Sequence, residues 1–204
     1  EYLSQVQLRY PDINIRCRHS LGRPRQEIAR LSAEEHCDLI VMVSHARKGA
    51  ERWLLGSVAE GVLRRATCPI LLLRSGETDP APFSRILVPL DGSQTSLTVL
   101  ERLQPFLEGQ TQVQLFQSSG FDPHDLALSE DSEALQHCLD QMATQLREIT
   151  LGDCQLEVAV DHGEPARAIL QWAETHPCQL TPMSTLARSR DPSLWLGSVT
   201  ANPA

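Results

Sequence analysis

Residues 55–74 read LGSVAEGVLRRATCPILLLR, and residues 196–204 read LGSVTANPA. The two copies of LGSV lie 141 residues apart, and at that single offset much of the chain falls into register without a gap. GRPRQEIA (22–29) lies on GEPARAIL (163–170), and CDLIVMVSHAR (37–47) lies on CQLTPMSTLAR (178–188). Gly, Pro, Cys, Met, Arg and Gly-Ser coincide at constant spacing. This marks a tandem duplication with a domain-length period, too long for a solenoid repeat.

The register divides the chain. Residues 1–75 form a first copy, 76–83 a linker within the breaker-rich stretch SGETDPAPF, and 84–204 a second copy opening with SRILVPLDGS. Glu1 falls on Met142, so the first copy is expected to lack its own counterpart of ILVPLDGS. The second is expected to lack a counterpart of RRATCPILLLR, so the chain reads as truncated at both ends.

The elements follow from patterning. INIRCRHS (13–20) alternates like a strand, and Pro24 suits the first turn of a helix over RQEIARLSAEEH. DLIVMVS (38–44) is a continuous apolar run, as expected of a parallel strand covered on both faces. SVAEGVLRRA reads as a helix with Ser57 as N-cap, and CPILLLR as the final strand. The second copy gives strand RILVPLD, helix SLTVLERLQPFL, strand TQVQLFQ, a helix over 133–149, strand CQLEVAV and helix PARAILQWAETH. A damaged strand, QLTPMS, closes it, with Pro182 in the place of Val41. Alternating strands and helices predict an α/β fold in two tandem copies, each an open parallel sheet with helices on both faces. Ligands of such sheets sit beyond the carboxyl ends of the strands. Asp91, residues 184–188 and Gly197-Ser198 fall there in the second copy; residues 43–47 and Gly56-Ser57 do so in the first.

Composition narrows the function classes. Hydrophobic residues make up 41%, enough for a packed core, whereas aromatics at 4% are too few for a base-stacking nucleic-acid platform. No apolar run reaches the ~18 residues of a membrane span. Six dispersed cysteines, none in a C-x-x-C pair, read as thiols of a reducing, cytoplasmic setting, and no metal-ligand spacing occurs. The net charge of −8 is uneven: residues 1–75 carry 12 basic and 8 acidic side chains (+4), and residues 76–204 carry 6 and 18 (−12). No nucleophile elbow, P-loop or dinucleotide fingerprint is present, which argues against an enzyme.

ILVPLDGS, followed a domain later by LIVMVSHARKGAERWLLGSVAEGVLRRATCPILLLR, resembles the universal stress protein family in a tandem form. The resemblance implies a Rossmann-like, adenine-nucleotide-binding type of sheet. Its ATP-binding members carry an Asp at the end of the first strand and G-x2-G-x9-G-[ST] after the fourth. Glycine lets backbone N–H groups approach phosphates, and the closing Gly-Ser opens a helix whose free N–H groups favour an anion. In the first copy the pattern falls on Val43, Ala46, Gly56 and Ser57; in the second on Ser184, Ala187, Gly197 and Ser198, with Arg188 alongside and Asp91 upstream. The spacing is kept twice, and the early glycines are replaced twice. Val43, β-branched, resists positive φ. His45 and Lys48 lie in the first loop, where they could face an anion.

The expectation is therefore a non-enzymatic stress-response protein with degenerate nucleotide sites and no cofactor. It would act through protein association, with the last strand (69–74) as the self-association element. The alternative is an ATP-binding stress sensor using Asp91, Arg188, Gly197 and Ser198, with slow hydrolysis.

Overall fold

Two glycines at the same place in the repeat open the two best-defined helices. Gly22 has φ +150° and Gly163 φ +115°, and each precedes a helix that begins with proline two residues on. Proline is suited there because the first-turn N–H has no intrahelical acceptor. The computed structural model describes residues 2–44, 56–74, 83–107, 109–118, 137, 140, 144 and 154–184. The chain forms two units, Glu1–His45 with Leu55–Leu73, and Ala46–Leu54 with Arg74–Ala204.

The first unit contains α1 (Tyr2–Arg9), α2 (Pro24–Glu34), β1 (Ile40–Ser44), α3 (Ser57–Leu63) and β2 (Ile70–Arg74). Strands β1 and β2 form a two-stranded sheet, with Ile40 N donating to Pro69 O at 3.0 Å. Ala29, Ile40, Ala59 and Val62 are its buried apolar residues. Helices α2 and α3 meet at Gly61, where a Cβ would lie 2.8 Å from Cβ of Arg25. Helix α2 ends in a Schellman motif: His36 N donates to Ala33 O at 3.3 Å and Cys37 N to Ser32 O at 2.9 Å. His36 takes the left-handed position of that motif, with φ +52°.

Three expectations change here. Residues 13–20 form no strand; Ile15 O instead accepts from Gln7 Nε2 of α1 at 2.8 Å. Their repeat counterparts, 154–161, do form a strand in the second unit, where a neighbouring strand is present. The same alternation becomes a strand only where a ladder partner exists. Second, β1 is not covered on both faces: Ile40 is buried, but Val41 and Val43 are 55% and 47% exposed. Third, Gly56 is the N-cap of α3, and Ser57 is its first helical residue.

The second unit contains β3 (Arg85–Pro89), α4 (Gln94–Leu103) with a 3-10 turn over Gln104–Phe106, β4 (Gln112–Ser118), β5 (Gln155–Asp161) and α5 (Pro165–Thr175). Residues 137, 140 and 144 are helical and fall in the helix expected over 133–149; its remaining residues lie outside the described ones. The sheet order is β3-β4-β5, all parallel, with Ile86 opposite Val113 and Val113 opposite Leu156. Alternation sends the side chains to two cores. Ile86, Val88, Leu90, Val113 and Leu115 pack with Leu100 and Leu103 of α4. Leu87, Phe116 and Ala159 pack with Ala168 and Ile169 of α5. This unit has the helix-covered faces that the apolar runs predict.

QLTPMS yields one isolated parallel bridge, Leu180 with Ile86. Leu87 N donates to Leu180 O at 3.0 Å. The next ladder donor along that edge would be residue 182, which is proline. The following donor on β3 would be residue 89, also proline. Gln179 N also donates to Arg85 O at 2.9 Å, and the two missing N–H groups end the ladder beyond Leu87.

Candidate functional site

The carboxyl end of β3 is shaped by a short polar sequence, Leu90-Asp91-Gly92-Ser93. Leu90 N donates to Phe116 O at 2.8 Å, holding the chain against β4 to the last strand position. Gly92 then reverses it with φ +74°. Asp91 Oδ1 accepts from Ser93 N at 2.9 Å and from Ser93 Oγ at 2.6 Å. Ser93 Oγ in turn accepts from Ser96 N at 3.1 Å and so caps α4. Asp91 thus fixes the turn, and Ser93 fixes the helix start. The Asp91 carboxylate is solvent-exposed and, when ionised, acts only as a hydrogen-bond acceptor, which suits a hydroxyl or amine of a ligand.

Beside this turn stands Gln117, near the end of β4 on the face shared by Val113 and Leu115. Its Nε2 lies 3.6 Å from where a Cβ on Gly92 would be. Its Oε1 is buried and has no hydrogen-bond partner among the described residues. A buried orphan acceptor costs about 1–3 kcal/mol. The signal for it in the sequence is a polar residue breaking the apolar alternation of VQLFQ. At the neighbouring strand end, Ser118 Oγ donates to Gly163 O at 2.7 Å, and Asp161 Oδ1 accepts from His162 N at 2.8 Å. Glu164 caps α5, accepting from Ala166 N at 3.2 Å and Arg167 N at 2.9 Å.

Of the sequence-derived site residues, Asp91 is placed at a strand end as expected. Gly56 and Ser57 open α3 in the first unit, both exposed. Gly56 has an ordinary φ of −60°, and a methyl group added there would meet nothing within 4 Å, so neither backbone strain nor crowding calls for glycine. Arg188, Gly197 and Ser198 lie outside the described residues, as do Ala46, His45, Lys48 and Ala187. Val43 and Ser184 are described at matching ends of the repeat, Val43 exposed and Ser184 half-buried. No group of three or more potential metal ligands occurs among the described residues.

A parallel α/β sheet with helices following its strands, and a polar Asp-Gly-Ser turn at a strand end, define an α/β protein of the Rossmann-like class. The sequence profile of the universal stress protein family matches residues 2–74 and 82–202, and the chain belongs to that family, with its domain present in two tandem copies. Universal stress protein MJ0531 of Methanocaldococcus jannaschii is 45% identical over 53 residues, covering 26% of this chain and 31% of the relative. Universal stress protein Rv2005c of Mycobacterium tuberculosis is 36% identical over 74 residues, covering 36% of this chain and 24% of the relative. The chain thus spans a third or less of the length of these curated relatives. A universal stress protein structure from Archaeoglobus fulgidus aligns over 88% of this chain and 68% of its own, with TM-score 0.62 and 20% identity, a likeness of fold.

Proposed function

We propose that this chain is a non-enzymatic universal stress protein that acts by associating with other polypeptides, its nucleotide loops having become structural. The observation that supports this most directly is a set of exposed apolar side chains on the first unit's sheet, among the described residues. Val41, Val43 and Leu73 are 55%, 47% and 40% exposed, on strands whose run of Val, Leu and Ile suits burial. Self-association through β2 is the simplest use of that surface. The family resemblance makes the last strand the expected contact, and the dispersed thiols fit the reducing, cytoplasmic setting of this reading. Light scattering coupled to size exclusion tests it. The wild-type chain is expected to run as a dimer and Leu73→Lys as a monomer. A wild-type monomer at all concentrations overturns the β2 contact.

One observation favours a second reading, an ATP-binding sensor in the second unit. The Asp91 turn and the unpartnered Gln117 acceptor lie together at the carboxyl end of β3 and β4, where such sheets take ligands. Thermal melting with Mg-ATP, with AMP and without nucleotide separates the readings. A ligand at 100 times its Kd stabilises by about 2.7 kcal/mol. The association reading expects no shift. An ATP-specific shift that Asp91→Ala abolishes would establish the sensor.

A further inference from the structure

Strand β5 is the outer strand of the second unit's sheet, whose order is β3-β4-β5. One bond fixes which of its edges faces inward: Gln155 N donates to Thr111 O at 3.0 Å. The register from Gln155 to Asp161 then runs against β4 without a bulge. Backbone groups alternate along a parallel strand, so Gln155, Glu157, Ala159 and Asp161 bond to β4. The N–H and C=O groups of Leu156, Val158 and Val160 point outward, and they make no hydrogen bond among the described residues. The repeat assigns no strand to this margin. β2 pairs with β1, whose repeat counterpart lies in the segment bridged to β3 at Leu180, on the side of β3 away from β5. Natural edge strands are blunted by proline, lysine, a bulge or short length. β5 is a seven-residue strand with none of the first three.

We infer that the outer edge of β5 is a strand-docking site, and that its occupant is an extended segment of another polypeptide in which apolar and basic residues alternate. The two faces of β5 set that pattern. Leu156, Val158 and Val160 are half-buried and pack on the core beneath α4. Glu157 and Asp161 lie on the other face, Glu157 exposed and Asp161 half-buried. Neither is in an ion pair among the described residues. Their ladder partners on β4, Gln114 and Ser118, are uncharged. Residues opposite each other in a ladder share a face. An incoming strand, in either direction, therefore sets one row of its side chains beside three apolar residues and the other row beside two carboxylates. Basic side chains in the second row gain opposite-charge pairs, whereas a second copy of β5 would bring like charges onto one face. Residues 76–204, with 6 basic and 18 acidic side chains, add a long-range field of the same preference. This is strand addition to an open sheet edge, with backbone bonds supplying affinity and the carboxylates supplying selectivity. It rests on the association reading, and adds to it a partner of different chemistry from the second copy that β2 would meet.

The probe is a capped peptide, Thr-Val-Arg-Val-Arg-Val-Thr, titrated into the full ¹⁵N-labelled chain and followed by NMR. Saturable shifts are expected along β5. Amide exchange should slow at Leu156, Val158 and Val160 and stay unchanged at Glu157 and Ala159, which already bond to β4. A peptide with glutamate in place of both arginines is expected to bind about tenfold more weakly. Glu157→Lys, at an exposed side chain, is expected to reduce that difference about threefold. Val158→Pro removes an outward N–H and no bond to β4, so it should abolish binding while the amide shifts of β3 and β4 report an intact sheet. No saturable binding, protection that ignores the alternation, or equal binding of the two peptides would overturn the proposal. So would a Glu157→Lys chain that keeps the full preference, or a folded Val158→Pro chain that still binds. Leu73→Lys is the control: it removes the β2 contact and leaves peptide binding unchanged, so failure of one contact is told from failure of the other.

Discussion

At the scale of single residues, His36 shows how the chain accepts a local cost for a good helix stop. A non-glycine residue in the left-handed region is disfavoured by about 1–2 kcal/mol, yet His36 holds φ +52° because both Schellman bonds require it. His36→Gly removes the strain and adds some backbone entropy to the unfolded chain. The expected net gain is about 0.5–1 kcal/mol, read by denaturant melting. Glu27 gives a pH signature. It accepts hydrogen bonds from the Ser20 hydroxyl and from Arg30, whose Nη2 lies 2.8 Å away, and these hold its carboxyl below the ordinary value of 4.5. A lowered folded value means this contact stabilises fully above 4.5 and is lost as pH falls through the lowered value. Ser20→Ala is expected to raise the Glu27 midpoint, measured by side-chain carboxyl chemical shifts; an unchanged midpoint would assign the lowering to Arg30 alone.

At the scale of elements, Pro182 is the most instructive substitution. Pro182→Val restores the N–H that the next ladder bond needs, a gain of about 1 kcal/mol. It also frees the unfolded backbone, a loss of similar size. Net stability should therefore change little, and hydrogen exchange is the better measurement. Protection is expected to appear at residue 182 in the variant, with the melting temperature nearly unchanged. The elements also show how far patterning carries. The apolar runs of β2, β3, β4 and β5 and the proline-initiated helices α2 and α5 are legible because composition and period agree there. Residues 13–20 mislead because alternation is necessary for a half-buried strand but does not supply its neighbour. Helix α1 is legible only through the repeat, since Glu1 falls on Met142 within the helix expected over 133–149. Gln117 escapes a reading of the sequence because its meaning depends on Gly92, distant along the chain and adjacent only after folding.

At the scale of the whole molecule, the repeat sets the architecture and the charge sets the conditions. The chain has net charge −8, with +4 in residues 1–75 and −12 in residues 76–204. If association ran through these opposite signs, it would weaken steeply with salt, because a Debye length near 10 Å at 0.1 M shrinks to about 3 Å at 1 M. The proposed contact through β2 is apolar, so the dimer is expected to persist from about 50 mM to about 1 M NaCl in sedimentation velocity. Dissociation across that range would transfer the contact to the charged surfaces.

The missing donors at Pro182 and Pro89 also bear on how the protein fails. Prolines at a sheet margin are a common defence against uncontrolled growth of stacked strands, because a chain that cannot donate cannot template the next one. The second unit has that defence at two facing positions. The first has none along Ile40-Val41-Met42-Val43, four uncharged residues, three of them β-branched, with no proline among them. In the thermally unfolded chain, where every strand is exposed, aggregation should therefore begin at this tetrapeptide, and a single lysine at Val43 should lengthen the lag before turbidity appears.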